Sequence, residues 1–99
     1  MKKECPITKI MTILSKKWSL LILREFKYGK MTFSELKEKL PEISTRTLST
    51  RLKELERENI VSSKKIHQVP PKTEYSLTKK GKELIKCFDY LAKWSEKYQ

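Results

Sequence analysis

Apolar side chains in the first 60 residues recur every three or four positions, which is the spacing of one face of an α-helix. Pro6 suits the first position of a helix, and Ser44 is a suitable N-cap. Thr32 and Glu35 have the spacing of a capping box. The pattern predicts four helices, over about residues 6–15, 18–27, 32–40 and 44–59. The second is apolar on most sides, so it is expected at the centre of the core.

The pattern changes after Asn59. Residues 60–77 carry β-branched and alternating side chains on both sides of a turn that contains Pro70 and Pro71, which predicts a two-stranded hairpin. Helical spacing returns over residues 79–97. The third and fourth helices are joined by only about four residues, so they form a tight helix-turn-helix. The predicted fold is mainly α with a small β-hairpin, a winged helix-turn-helix.

The charge of the chain indicates a polyanionic partner. Its 99 residues include 23 Lys and Arg against 12 Asp and Glu, a net charge of +11. Such an excess suits DNA, RNA or an anionic membrane face. The longest nearly apolar run, residues 18–23, is far short of the roughly 20 residues that span a bilayer. No apolar signal segment follows the N-terminal lysines, so a cytoplasmic protein without a membrane partner is expected.

The stretch "EISTRTLSTRLKELERENIV", residues 42–61, separates two kinds of polar residue. From Ser44 onward hydroxyls and arginines come first, and acids follow only after the second helical turn. A helix in the major groove contacts base edges mainly through its N-terminal turns, where arginines and hydroxyls supply donors. The alternative is a solvent-exposed helix whose Ser and Thr residues serve only to cap its N-terminus. The predicted DNA-contacting residues of the helical region are Ser34, Ser44, Thr45, Arg46, Thr47, Ser49, Thr50, Arg51, Lys53 and Arg57.

The predicted wing is also basic. It carries Lys64, Lys65 and Lys72, with no acid between residues 62 and 73, and such a wing can lie along phosphates or in the minor groove. Double-stranded RNA has a deep, narrow major groove that a helix cannot read, so the pattern favours double-stranded DNA. The main alternative is a winged-helix module that binds a protein and uses its basic surface for another purpose.

The last predicted helix has an apolar stripe. A domain of this size has little surface of its own with which to bury the stripe. A homodimer through this helix, assisted by the first, is therefore expected. A two-fold dimer would place two recognition helices about 34 Å apart on a pseudo-palindrome. The single domain of residues 1–99 would divide into an N-terminal helix (1–15), a DNA-binding core (16–78, wing 60–78) and a dimerisation helix (79–99). The predicted interface comprises Ile7, Ile10, Met11, Leu84, Phe88, Leu91, Trp94 and Tyr98.

Catalytic and metal chemistry are not indicated. The sequence has no Gly-rich phosphate loop and no Ser or Cys beside its single histidine, His67, which is expected to face solvent on the wing. Two cysteines and one histidine are too few for a closed zinc site within one chain. The chain is therefore expected to be no enzyme, and to need no metal or cofactor.

Several motifs in order resemble the HxlR-type family of winged-helix transcriptional regulators, relatives of the MarR group. They are "CP" (5–6), "KWSLLILREFKYG" (17–29), "FSEL" (33–36), "IS" (43–44), "LSTRLKELE" (48–56) and "PPKTEYSLTKKGKEL" (70–84). The resemblance implies a dimeric, sequence-specific regulator that acts as repressor or activator.

The chain departs from the family pattern at three places. "SKKW" stands in place of Gly-Gly-Lys-Trp, so the turn before the second helix is open to a different shape. Thr32 replaces an arginine, which removes a phosphate or structural contact. Asn59 replaces a glycine, and asparagine can adopt the same left-handed cap.

The resemblance also points to Cys5, which matches an N-terminal cysteine that several family members use to sense oxidants or electrophiles. Nearby lysines and the helix N-terminus favour its thiolate, whereas Glu4 opposes it. The alternative is an inert N-terminal cysteine. Cys87 lies at the edge of the dimer stripe, where a small buried hydrophobe is expected.

Overall fold

The computed structural model describes residues 6–98 of the chain. Two predicted functional positions, Cys5 and the side chain of Ile7, lie outside the described part. Five α-helices and three strands follow one another as α1 (Pro6–Leu14), α2 (Ser19–Glu25), β1 (Met31–Thr32), α3 (Phe33–Lys39), α4 (Thr45–Arg57), β2 (Val61–Ile66), β3 (Lys72–Leu77) and α5 (Lys79–Lys97). The predicted winged helix-turn-helix, mainly α with a small β element, is confirmed.

The core lies between α2, α3, α4 and the base of the sheet. The leucines of α4 repeat at helical spacing and face inward, as the sequence predicts, and each of them is fully buried. The fully buried apolar side chains are Ile22, Leu23, Leu36, Ile43, Leu48, Leu52, Leu55, Ile60 and Val61. This cluster holds α4 by one face only and leaves its opposite face to solvent.

The prediction that the second helix lies at the centre of the core holds for one side of the helix only. α2 is shorter than predicted and continues as a 3₁₀ turn over Phe26–Tyr28. Leu20 and Leu21 on its outer side are 44% and 40% exposed. The sequence pattern records which positions are apolar, but it does not record whether one chain supplies enough neighbours to cover them.

The prediction of a two-stranded hairpin is also incomplete. β1 joins as a third, antiparallel strand, so the sheet order is β1-β3-β2, with Met31 opposite Tyr75 and Thr32 opposite Glu74. A strand of two residues is too short to show an alternating pattern, which explains why periodicity did not reveal it. β1 ends where the Thr32 capping box begins α3, so the predicted cap is confirmed.

Two backbone positions correspond to departures from the family pattern. Asn59 has φ 59°, so the asparagine adopts the left-handed conformation that was expected of it after the fourth helix. Trp18 has φ 81° and precedes α2, which means that the "SKKW" turn contains a left-handed non-glycine residue. Within residues 6–98, no helix combines the length and apolar character needed to cross a membrane.

Candidate nucleic-acid interface

A lysine side chain stabilises the turn between α3 and α4 by hydrogen bonds. Lys37 Nζ donates to the carbonyl oxygens of Pro41, at 3.1 Å, and Ile43, at 2.5 Å. The Ile43 side chain is buried beneath this contact. A lysine four residues before a proline that ends a helix is a weak signal, and the sequence reasoning missed it. The contact fixes where α4 begins.

α4 begins with the predicted N-cap. Ser44 Oγ accepts the backbone N–H of Thr47 at 3.0 Å and donates to Thr47 Oγ1 at 2.9 Å. The Thr47 hydroxyl is thus engaged in the cap, whereas Thr45 is exposed beside it. No acid occupies the first turn. The remaining backbone N–H groups and the positive end of the helix dipole therefore point toward open solvent, where they favour an anion.

Four exposed side chains form a line along the outside of α4. Arg46, Thr50, Lys53 and Arg57 follow one another at intervals of four, three and four residues. At about 100° per residue they share one side, opposite the buried leucines. Thr50 Oγ1 donates to the Arg46 carbonyl at 2.9 Å, so its lone pairs remain available to a partner. We call these four residues the outer line; Ser49 flanks it and is half-buried.

Arg51 does not share this exposure. Its Nε donates to the Lys17 carbonyl at 3.0 Å, and its Nη1 donates to Glu54 Oε1, also at 3.0 Å. The Arg51 side chain is only 20% exposed. The sequence placed Arg51 among the DNA-contacting residues, but its guanidinium is held against the turn between α1 and α2. We therefore leave it out of the candidate interface.

The acids of α4 are engaged within the protein. Glu54 accepts from both Lys16 Nζ and Arg51, and the Lys16 hydrogen bond lowers the pKa of Glu54 against the opposing effect of burial. Glu56 instead accepts from Ser63 Oγ at 2.7 Å. Both acids are thereby held away from the outer line.

The wing lysines do not lie on a single face. Lys64 is paired with Glu74 in the antiparallel register, and Lys65 is paired with Thr73. Because strand side chains alternate, Lys65 shares the face of Ser63, which bonds α4, while Lys64 and Lys72 share the face of Glu74. The Glu74 carboxylate also lies 3.6 Å from Lys30 Nζ.

Lys65 is therefore the wing lysine on the α4 side, whereas Lys64 stands opposite Glu74 on the other face of the sheet. All three wing lysines are exposed. Ser34 is exposed near the start of α3. His67 is exposed on the wing, as predicted.

The predicted dimer residues fall into two groups. Ile10, Leu84 and Phe88 are partly buried and pack against the core of their own chain. The side chains that remain exposed are Met11 at 45%, Leu91 at 58%, Trp94 at 57% and Tyr98 at 65%. The exposed part of the stripe adjoins a groove of about 770 Å³ between α2 and α5, which Leu20, Leu21 and Phe88 help to line.

Cys87 differs from its prediction. It is exposed, and its Sγ–H donates weakly to the Glu83 carbonyl at 3.6 Å. The expectation of a buried small hydrophobe is wrong within one chain, because this side of α5 faces away from the core. Among residues 6–98, no three His, Cys, Asp or Glu side chains lie together in a way that could hold a metal ion.

Comparison with known proteins agrees with this arrangement. A family model described as HxlR-like helix-turn-helix matches residues 13–99. The HTH-type transcriptional regulator YvaP of Bacillus subtilis is 43% identical over 95 residues, which cover 95% of this chain and 88% of YvaP.

Solved structures extend the likeness to the fold. The reduced form of the transcriptional regulator YodB from B. subtilis superposes with a TM-score of 0.84 at 34% identity and covers 97% of this chain and 95% of its own. The redox regulator HypR in its oxidised form has a TM-score of 0.83 at 35% identity, over 94% of this chain and 96% of its own. The chain therefore belongs to the HxlR-like helix-turn-helix family and is a DNA-binding transcriptional regulator, not an enzyme.

Proposed function

We propose that this regulator acts as a homodimer that binds a pseudo-palindromic DNA operator in a sequence-specific manner. Each α4 enters a major groove, and each wing follows the neighbouring backbone. The observation that carries this proposal is the outer line, which is exposed and free of acids on the side opposite the buried leucines. In this division, residues 16–78 bind DNA, and residues 1–15 and 79–99 hold the dimer together.

The side chains of the interface take different parts. Arg46 and Thr50 stand on the first two turns of α4, so they are assigned to base edges, where an arginine recognises guanine and a hydroxyl serves several bases. Lys53 and Arg57 stand further along the helix and are assigned to phosphates. Phosphate contacts are also assigned to Ser34, Ser44, Thr45, Lys64, Lys65 and Lys72.

The dimer is assigned to α5. Leu84, Cys87, Leu91, Trp94 and Tyr98 follow at intervals of three, four, three and four residues, which is the heptad spacing of a helix–helix seam. The last three of these side chains are exposed in the single chain. A second copy of α5 offers the same seam, and a two-fold axis makes such a surface complementary to itself. Met11 extends the apolar surface on α1.

The proposal is tested by selecting bound duplexes from a random library and measuring their affinity over a range of salt concentrations. Specific binding should persist at salt concentrations where random duplex dissociates, and log affinity should fall steeply with log salt. Lys65→Ala should weaken binding to all duplexes alike, and it should reduce the slope of log affinity against log salt by about one. Lys93→Ala removes an equal charge near the far end of α5 and is the matched control.

Equal binding to all duplexes, or none, would contradict sequence-specific recognition and favour the protein-binding alternative. Equal effects of Lys65→Ala and Lys93→Ala would exclude the wing from the interface. Analytical ultracentrifugation of the free protein gives the oligomeric state, and a monomer at micromolar concentration would contradict the homodimer.

A redox response through Cys5 is a further part of the proposal. Its support is the likeness to HypR, a redox regulator, and the physical case for a thiolate near lysines. Mild peroxide should change operator affinity in the wild type and in Cys87→Ser, but not in Cys5→Ser. Non-reducing gels show whether Cys5 and the partner's Cys87 become linked. An unchanged response in Cys5→Ser would reject the assignment.

A further inference from the structure

The end of the recognition helix is fastened to the start of the dimer helix by a compact set of hydrogen bonds. Lys80 Nζ donates to the Glu58 carbonyl at 2.7 Å. Thr78 Oγ1 lies 2.5 Å from the Asn59 carbonyl oxygen and 3.2 Å from that of Ile60. The N-cap and first turn of α5 thus bind the carbonyls of Glu58, Asn59 and Ile60, the three residues that directly follow α4.

The backbones also meet closely at this place. A Cβ added to Gly81 would stand 2.2 Å from the Ile60 carbonyl oxygen. The Gly81 N–H donates to Thr78 Oγ1 at 3.1 Å, and the Thr78 N–H donates to the Ile60 carbonyl at 3.1 Å. We call residues 58–60 and 78–81 together the α4–α5 joint. Its donors and its close contact leave little freedom for α5 to turn relative to α4.

The direction of α5 is set by this joint together with the packing of its first half and the Lys27–Asp89 ion pair, in which Nζ and Oδ1 lie 3.5 Å apart. The helix has 19 residues, which corresponds to about 28 Å. Only its first half packs on its own chain, through Leu84, Ile85 and Phe88, and from Tyr90 onward every described side chain is exposed. A small rotation at the first turn would therefore be amplified at the exposed seam.

We infer that the α4–α5 joint sets the half-site spacing that the dimer accepts, by fixing the angle between the recognition helix and the dimer helix. This inference rests on the proposed homodimeric function. One inserted base pair moves a half-site by about 3.4 Å and rotates it by about 35°. A dimer with a rigid joint cannot follow such a change, whereas a dimer with a loosened joint can follow part of it.

The test uses the selected operator and a series in which one or two base pairs are inserted between its half-sites or removed. Wild type is compared with Thr78→Val/Lys80→Met, which removes both side-chain donors of the joint. Lys79→Met is the matched charge control, because Lys79 is the exposed neighbour on the same turn. Thr78→Ser keeps the hydroxyl and should retain the wild-type profile.

Wild type, Lys79→Met and Thr78→Ser should each lose about tenfold or more in affinity when one base pair is inserted, comparable with a mismatched base pair. The double variant should lose less than about threefold while it keeps the wild-type affinity for an isolated half-site. Circular dichroism and ultracentrifugation must show a folded dimer. If the double variant does not fold, Lys80→Met alone is measured by the same criterion.

Parallel spacing profiles for wild type and the joint variant would overturn the inference but leave the proposed function intact. A wild-type profile without any spacing preference would contradict the two-half-site function itself, and the inference would fall with it. The two failures are therefore distinguishable in one data set.

Discussion

α4 and α5 are both amphipathic helices with a hydroxyl N-cap, yet the chain treats their apolar faces in opposite ways. Leu48, Leu52 and Leu55 of α4 are fully buried. On α5, Leu91 and Trp94 are 58% and 57% exposed. The polar surface of α4 is thus displayed on a firmly packed helix, whereas α5 displays apolar surface.

The contrast indicates which kind of partner each helix suits. A helix anchored by its whole apolar stripe presents its polar side chains at fixed positions, as recognition of base edges requires. A helix whose apolar stripe remains in solvent gains free energy when another protein surface covers it. One chain therefore has a rigid polar surface on α4 and an apolar surface on α5 that it does not bury itself.

The largest expected effect comes from breaking the anchored stripe. Leu52→Ala should lower the free energy of unfolding by about 2–5 kcal/mol, because it leaves a cavity in the core. Leu91→Ala removes the same atoms from an exposed site and should cost the dissociated monomer less than about 1 kcal/mol. Urea denaturation at low protein concentration measures both. Equal losses would show that the two stripes are not packed differently.

The next effect concerns the seam. Trp94→Ala should weaken dimerisation by about 2 kcal/mol, roughly 30-fold, because a central aromatic side chain is a typical interface anchor. Tyr90→Ala is the matched control, since Tyr90 is 74% exposed on the same helix but lies outside the heptad positions. Sedimentation equilibrium gives the dissociation constants. A greater effect of Tyr90→Ala would move the seam to another face of α5.

An effect of comparable size is expected on the outer line. Arg46→Ala should reduce affinity for the selected operator by about 1–3 kcal/mol and relax preference at one base position, because a bidentate contact to guanine is lost. Arg24→Ala removes an exposed arginine from α2 and serves as the control for charge. Fluorescence anisotropy with operator variants measures the preference. A uniform loss across all duplexes would assign Arg46 to phosphate instead.

The smallest effect concerns the acid held behind α4. The pKa of Glu54 is lowered in the folded chain, chiefly by the Lys16 hydrogen bond. Its carboxylate therefore contributes stability above the pKa of the unfolded state, and this contribution is lost as the pH falls through the lowered folded-state pKa. Glu54→Gln should cost less than about 1 kcal/mol at neutral pH, since the site is partly solvated.

The difference between Glu54→Gln and wild type should shrink as the pH is lowered through the acidic range. Thermal unfolding at several pH values measures this trend, and Glu38→Gln, at an exposed position on α3, is the control. A difference that is constant with pH would exclude the ion pair as its cause.

The helices, their caps and the buried face of α4 were predictable because each follows from local spacing and backbone chemistry. Ser44, Thr32 and Asn59 take the roles that their residue types favour. Arg51 illustrates the limit of prediction from sequence. By residue type and position it suits a DNA contact as well as the exposed arginines of α4 do. Only the position of the Lys17 carbonyl and Glu54 shows that its donors are already used.

The sequence by itself determined the amphipathic order of the chain, the charge of its recognition region and the family to which it belongs, since these depend on residue type and spacing along the chain. The tertiary structure alone decided that β1 completes the sheet, that the strand face of Lys65 and not that of Lys64 meets α4, and that the start of α5 binds the carbonyls of the residues that follow α4. These features depend on contacts between residues distant in sequence. Periodicity holds no information about such contacts, because many pairings satisfy the same local pattern.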